Sequence, residues 1–139
     1  MESAKRITTV SNLAVLYIQL VNGSRVSEAV EAFNRFLETG KRELEIRVRK
    51  IKKFETRRIL IPSFIKRRGV PRKSGQVEVF AQRQGINTHS MRYAFIGYMG
   101  RRGVAPQIIA KITHHKKLDS ILGYTQQKVA DDLLDEVVK

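Results

Sequence analysis

N-G-S-R-V-S-E-A, residues 22–29, joins two segments and carries an arginine at the joint. Upstream, Ile7, Val10, Leu13, Leu16, Tyr17 and Leu20 recur at helical spacing, which predicts a helix over residues 5–22 with this set as its buried face. Asn22-Gly23 ends it, because glycine takes the left-handed backbone that closes a helix. Downstream, Ser24 or Ser27 is expected to cap a second helix. Its apolar stripe is Ala29, Val30, Phe33, Phe36 and Leu37, and Gly40 stops it. Arg25 therefore stands at a helix entrance, three residues before Glu28. Two readings are open: an exposed arginine that pairs with Glu28 in the first turn, or a guanidinium held by that carboxylate and aimed at a phosphate.

Beyond Gly40 the period changes. In E-L-E-I-R-V-R (43–49) the apolar Leu44, Ile46 and Val48 alternate with charges, the pattern of a half-exposed strand. R-R-I-L-I-P (57–62) reads as a second strand, with K-K-F-E-T between them as the hairpin connection. Residues 63–75 combine Gly69, Pro71 and Gly75 with Lys66, Arg67, Arg68, Arg72 and Lys73, and are expected to form a solvated loop. Residues 75–84 fit a helix or a strand. Asn87 or Thr88 should cap a helix from His89 to about Arg102, closed by Gly103. Pro106 suits the first turn of the next one. Residues 125–138 predict a final amphipathic helix, with Asp131, Asp132, Asp135 and Glu136 on its solvated face. Together these elements predict one α+β domain over residues 1–139, mainly helical, with a small antiparallel hairpin.

Composition narrows the function. The 139 residues carry 27 Lys+Arg against 13 Asp+Glu, a net charge of +14. A field of that sign attracts polyanions, nucleic acid first among them. The absence of cysteine excludes disulfides, thiolate zinc sites and thiolate catalysis. The longest apolar run, Leu13–Val21, is about half a membrane span and is interrupted by Gln19. With no signal-peptide grammar at the start, a soluble chain is expected.

Only three histidines occur, and all fall beside arginine or lysine: His89 three residues before Arg92, then His114 and His115 ahead of Lys116 and Lys117. Residues i and i+3 share a helix face, so His89 and Arg92 can project together. Arginine offers a planar fork for two phosphate oxygens, and histidine a hydrogen bond or a proton near neutral pH. Taken alone, each piece has a plain alternative: a decorated surface, a solvated His-His pair, a core tyrosine at Tyr124.

In combination, the order Arg, Lys, His-x-x-Arg, His, Tyr resembles the catalytic domain of the tyrosine recombinases, the phage-type integrase family. The residues that carry the resemblance are N-G-S-R-V-S-E-A, similar to the family's T-G-x-R-x-S-E-L, then H-S-M-R, and His115 followed nine residues later by Tyr124. The resemblance implies that Arg25 and Arg92 clamp a scissile phosphate, with hydrogen bonds from His89 and His115. It implies that a hairpin lysine protonates the leaving 5′-oxygen and that Tyr124 attacks, leaving a 3′-phosphotyrosyl link. No metal, nucleotide or other cofactor is required. Glu28 would support the site. The hairpin lysine is open among Lys50, Lys52 and Lys53; Lys52 falls on the face of Leu44, Ile46 and Val48 and is the one favoured.

The family usually has glycine before its second histidine, where this chain has His114; the tyrosine spacing favours His115 as the site residue. The family's preceding core-binding domain is not expected within these residues. The basic residues Lys66, Arg67, Arg68, Arg72, Lys73, Arg101 and Arg102 are expected to touch the backbone of double-stranded DNA. The final helix implies self-association on DNA by docking on a neighbouring subunit, with folding back on its own core as the alternative. A DNA-associated protein inside a prokaryotic host follows. Two other functions stay open: a type IB-like topoisomerase with the same residue set, and a non-enzymatic basic DNA-binding protein.

Overall fold

The computed structural model describes residues 2–48, 55–114 and 130–138. In chain order the elements are α1 (Glu2–Asn22), α2 (Val26–Thr39), β1 (Glu43–Arg47), β2 (Thr56–Leu60), α3 (Ser74–Arg83), α4 (Thr88–Arg101) and α5 (Pro106–Thr113). Residues 130–138 are helical and form α6. The fold is the expected one, mainly helical with one antiparallel hairpin.

The two strands pair in the register Glu43 with Leu60 and Arg47 with Thr56. One more hydrogen bond, from Val48 N–H to Glu55 C=O at 2.8 Å, extends the ladder towards the connection. Alternation puts Leu44, Ile46 and Val48 inward, and Leu44 and Ile46 join Ile59 and Ile61 in a core with Phe33 and Phe36 of α2 and Val15 and Ile18 of α1. A smaller cluster joins Phe95 and Ile96 of α4 to Ile109 of α5.

Three expectations change. Of the Ile7–Leu20 set only Leu16 is fully buried: Val10, Leu13 and Tyr17 are between 41% and 48% exposed, while Ser11, Asn12, Ala14, Val15, Ile18, Gln19 and Asn22 are buried with Leu16. The helix is apolar on two sides, and tertiary packing selected the side on which Ser11, Gln19 and Asn22 each find an internal partner. Ser11 Oγ accepts from Val70 N–H at 2.9 Å, and Gln19 Nε2 donates to Thr88 C=O at 2.8 Å.

At the start of α2 neither serine acts as the cap. Arg25 holds that position, and Glu28 Oε1 accepts from its N–H at 3.0 Å, the half of a capping box that the third helical residue supplies. The 63–75 segment is irregular as expected but is pinned rather than simply solvated. Asn34 exchanges two hydrogen bonds of 2.9 Å with the Arg72 backbone, and Ile65 is buried.

The ambiguous 75–84 segment is helical, since Val77 and Ala81, four residues apart, both reach the core.

Candidate active site

Four junctions of the chain converge on one cluster of charge. The first is the turn between α1 and α2. Gly23 has φ +62°, and a Cβ there would lie 2.3 Å from the Phe95 ring. Glycine is therefore required twice, by the backbone and by the close approach of α4. Phe95 is one helical turn from Arg92, so the contact that seats its ring on Gly23 also brings Arg92 beside the Arg25 turn. The Gln19–Thr88 hydrogen bond fixes the start of α4 to α1 in the same sense.

Glu28 is fully buried and sits in the first turn of α2, where a carboxylate suits the positive end of the helix dipole. Its Oε2 lies 3.3 Å from Arg25 Nη1. The Arg25 side chain is 16% exposed, so the guanidinium is held by the carboxylate yet keeps access to solvent. The arginine is largely buried against this carboxylate rather than exposed beside it.

Arg92 is buried, and its Nη2 donates to the carbonyl of Thr113, the last residue of α5, at 2.7 Å. Burial, reinforced by the neighbouring charges of Arg25 and Arg57, lowers its pKa to about 10, and Glu28 partly offsets the fall. It remains a cation at neutral pH. His89 is exposed in the first turn of α4, where its N–H donates to Asn87 Oδ1 at 2.9 Å; Asn87, not Thr88, is the cap.

His114 follows α5 in the left-handed conformation, φ 57°, and its Nδ1 meets Glu55 Oε1 at the base of the hairpin. This is where the family pattern has glycine, and the left-handed backbone is the physical reason for a glycine there. Histidine holds the same conformation here with a carboxylate partner across the site.

The residue that sequence reasoning missed is Arg57. It lies on β2, only 2% exposed, with Nη2 2.6 Å from Asn22 C=O and Nη1 3.7 Å from Glu28 Oε1. A signal was available. The alternation that places Ile59 and Ile61 inward puts Arg57 in the same register, so an arginine faces the core.

Thus the structure brings Arg25, Glu28, Arg92 and His114 to one place and adds Arg57 and Glu55. Lys50, Lys52, Lys53, His115 and Tyr124 lie outside the described residues.

The expected DNA-contacting residues are distributed differently. Lys66, Arg67 and Arg68 are exposed near the C-terminal end of α2, opposite the Arg25 end. With 14 residues in α2, that separation is about 20 Å. There Arg67 donates to the carbonyls of Leu37 and Glu38, at 3.1 and 2.8 Å. Lys73 is exposed beside Arg72 at the entrance of α3. Arg101 and Arg102 are exposed at the end of α4, and Arg102 lies over the Tyr98 ring. Among the described residues no cluster of three or more His, Cys, Asp or Glu is arranged to hold a metal ion. None of their helices is long and apolar enough to cross a membrane.

Comparison with known proteins supplies the context. No family model matches the chain. Over 132 residues it is 41% identical to "Putative integrase ORF241" of Acidianus two-tailed virus, an alignment that takes in 88% of this chain and 54% of the viral protein. It is 29% identical to an uncharacterized protein of Methanocaldococcus jannaschii, over 92% of this chain and 73% of that one. The chain therefore spans about half the length of its viral relative. Among solved structures, XerA recombinase superposes with a TM-score of 0.62 at 15% identity, over 99% of this chain and 64% of that one. In sequence the chain is thus similar to a viral putative integrase, and its fold is the tyrosine-recombinase catalytic-domain architecture seen in XerA.

Proposed function

We propose that the chain is the catalytic domain of a DNA strand-transfer enzyme of the integrase type, which cleaves and rejoins double-stranded DNA through a 3′-phosphotyrosyl intermediate. The observation that carries this reading is the cluster of Arg25, Arg57 and Arg92 around the carboxylate of Glu28. Among the described residues these three cations outnumber the site's carboxylates, Glu28 and Glu55, which leaves a positive excess in a partly desolvated setting, suited to a phosphodiester whose nonbridging oxygens gain charge during attack.

In this mechanism Arg25 and Arg92 hold the phosphate, and His89 and His115 add hydrogen bonds. Tyr124 attacks phosphorus through its hydroxyl oxygen, and His89 takes the hydroxyl proton. The bond from phosphorus to the 5′-oxygen breaks as Lys52 protonates that oxygen. Rejoining is the reverse. The covalent link conserves the bond energy, so neither ATP nor a metal is needed. A free tyrosine ionises near pH 10, so the surrounding cations serve the nucleophile as well as the phosphate. The exposed apolar residues Leu133, Leu134, Val137 and Val138 of α6 favour self-association on DNA, in keeping with recombination. A topoisomerase with the same residue set and a purely architectural DNA-binding protein are the competing functions.

The test is trapping on nicked suicide duplexes, drawn from a randomised pool and resolved on a denaturing gel. A protein–DNA band is expected from the native chain and none from Tyr124→Phe. Equal DNA binding by both proteins with no band from either would overturn the proposal in favour of the architectural function. A band accompanied by relaxation of supercoiled plasmid, without strand exchange between duplexes, would select the topoisomerase.

A further inference from the structure

Arg57 has no part in the residue pattern that led to the active site, yet it is among the most deeply buried side chains of the molecule. It is placed by β2 and directed at the joint that carries Arg25. Its guanidinium makes three contacts there. Nη2 donates to Asn22 C=O at 2.6 Å, Nη1 donates to Gly23 C=O at 3.4 Å, and Nη1 lies 3.7 Å from Glu28 Oε1. The two carbonyls belong to the end of α1 and its closing glycine, where helical carbonyls lack intrahelical partners and the helix dipole is negative.

The third contact bears on Arg25. Glu28 Oε1 is shared between the Arg25 N–H, at 3.0 Å, and the Arg57 guanidinium. With Oε1 occupied in this way, Oε2 is turned to the Arg25 guanidinium. The orientation of Arg25 is thus set by a carboxylate whose own orientation is set by Arg57. Burial pushes the pKa of Arg57 down, with Glu28 opposing and Arg25 adding to the fall. Burying a charge in this way is seldom favourable for stability alone, since removing ions from water commonly outweighs their attraction.

We propose that Arg57 is a positioning residue, which sets Arg25 for the scissile phosphate through Glu28 and the end of α1. This rests on the proposed strand-transfer function. It assigns Arg57 to the phosphate-holding side of the site rather than to the leaving-group side, although the strand that carries it leads directly from the hairpin connection and its lysines.

The distinction is testable with a substrate whose leaving 5′-oxygen is replaced by sulfur. A thiolate leaves without a proton, so such a substrate rescues defects in the leaving-group acid and not defects in phosphate positioning. Arg57→Met keeps the length and volume of the buried chain while removing the fork. It is expected to form the Tyr124 adduct about a hundredfold more slowly, the effect of a misplacement near 1 Å, on oxygen and sulfur substrates alike. A variant with Lys50, Lys52 and Lys53 all changed to alanine should be rescued by sulfur. Arg57→Lys, which keeps the charge and loses the fork, should fall between the native chain and Arg57→Met. In parallel, the Arg25 Nε–Hε signal in the NMR spectrum should shift or broaden in Arg57→Met while the thermal midpoint still shows a folded chain.

An Arg57→Met protein that cleaves at the native rate, or whose defect sulfur removes, overturns the assignment. So does an unchanged Arg25 signal. If Arg57→Met fails to fold, the same comparisons on Arg57→Lys decide. If the native chain forms no Tyr124-dependent adduct, the strand-transfer function falls, and the Arg25 signal still decides whether Arg57 positions it.

Discussion

Gly23 shows how much of the site depends on one missing Cβ. Its φ of +62° is unfavourable for any side chain, and the Phe95 ring fills the space a Cβ would need. Gly23→Ala should cost at least about 2 kcal/mol, the left-handed backbone penalty with a steric clash added, read as a fall in the thermal midpoint. Replacing Phe95 by alanine in the same chain should relieve the clash and leave the backbone penalty. The neighbouring residues divide by how they were legible. Arg25, Glu28 and the His89–Arg92 pair were found because their relations are local, three residues apart on a helix. Arg57 was not, because its partners are more than 25 residues away in sequence, and the inward register of β2 was the one local hint of it.

At the scale of elements, β2 acts as a strut. Its first residues meet the end of α1 through Arg57. Its last residue, Leu60, is paired by Asn22, whose side-chain amide behaves like a peptide group: Leu60 N–H donates to Asn22 Oδ1 at 3.0 Å, and Asn22 Nδ2 donates to Leu60 C=O at 2.9 Å. Glu55, just before the strand, reaches His114 after α5. The hairpin is therefore tied to both helix ends that flank the site. Asn22→Ala should leave the Leu60 backbone groups without partners, a loss of about 1–3 kcal/mol. Hydrogen exchange should report it locally, with the Leu60 amide exchanging faster while the Val15 and Ile18 amides of α1 hold. Protection of Leu60 equal to that in the native chain would mean that the pairing contributes little. Strand alternation and glycine stops made the hairpin and the ends of α2 and α4 legible. The buried face of α1 was not, because a helix apolar on two sides leaves periodicity with two answers.

Over the whole molecule, charge is the organising quantity. The chain as a whole carries +14, and the site concentrates that sign around Glu28. The lowered pKa of Arg92, about 10, means that the folded state binds this proton less tightly than the unfolded chain does. Folding therefore bears the disadvantage at every pH below about 10, and is relieved of it as pH rises from there towards the ordinary arginine value. A bound oxyanion should relieve it at neutral pH. Phosphate at a hundredfold over its Kd should add about 2.7 kcal/mol of stability, seen as a higher thermal midpoint than in chloride at equal ionic strength. The increment should shrink in Arg92→Gln and above pH 10. Self-association belongs to this scale too. Leu133→Asp with Leu134→Asp, on the exposed apolar side of α6, should abolish assembly on DNA in light scattering while leaving the thermal midpoint unchanged, because neither side chain is buried in the isolated chain.

What the sequence by itself determined was whatever depends on neighbours along the chain: the helix stops at Gly40 and Gly103, the period-two strands, the excess of cations, and the ordered motif from Arg25 to Tyr124. Only the tertiary structure decided which side of α1 is buried and that Arg57 shares Glu28 with Arg25. The physical reason is common to both. A buried polar group is stable only beside its partner, and Thr88, Val70, Glu28 and Asn22 become partners across distances that no local pattern encodes.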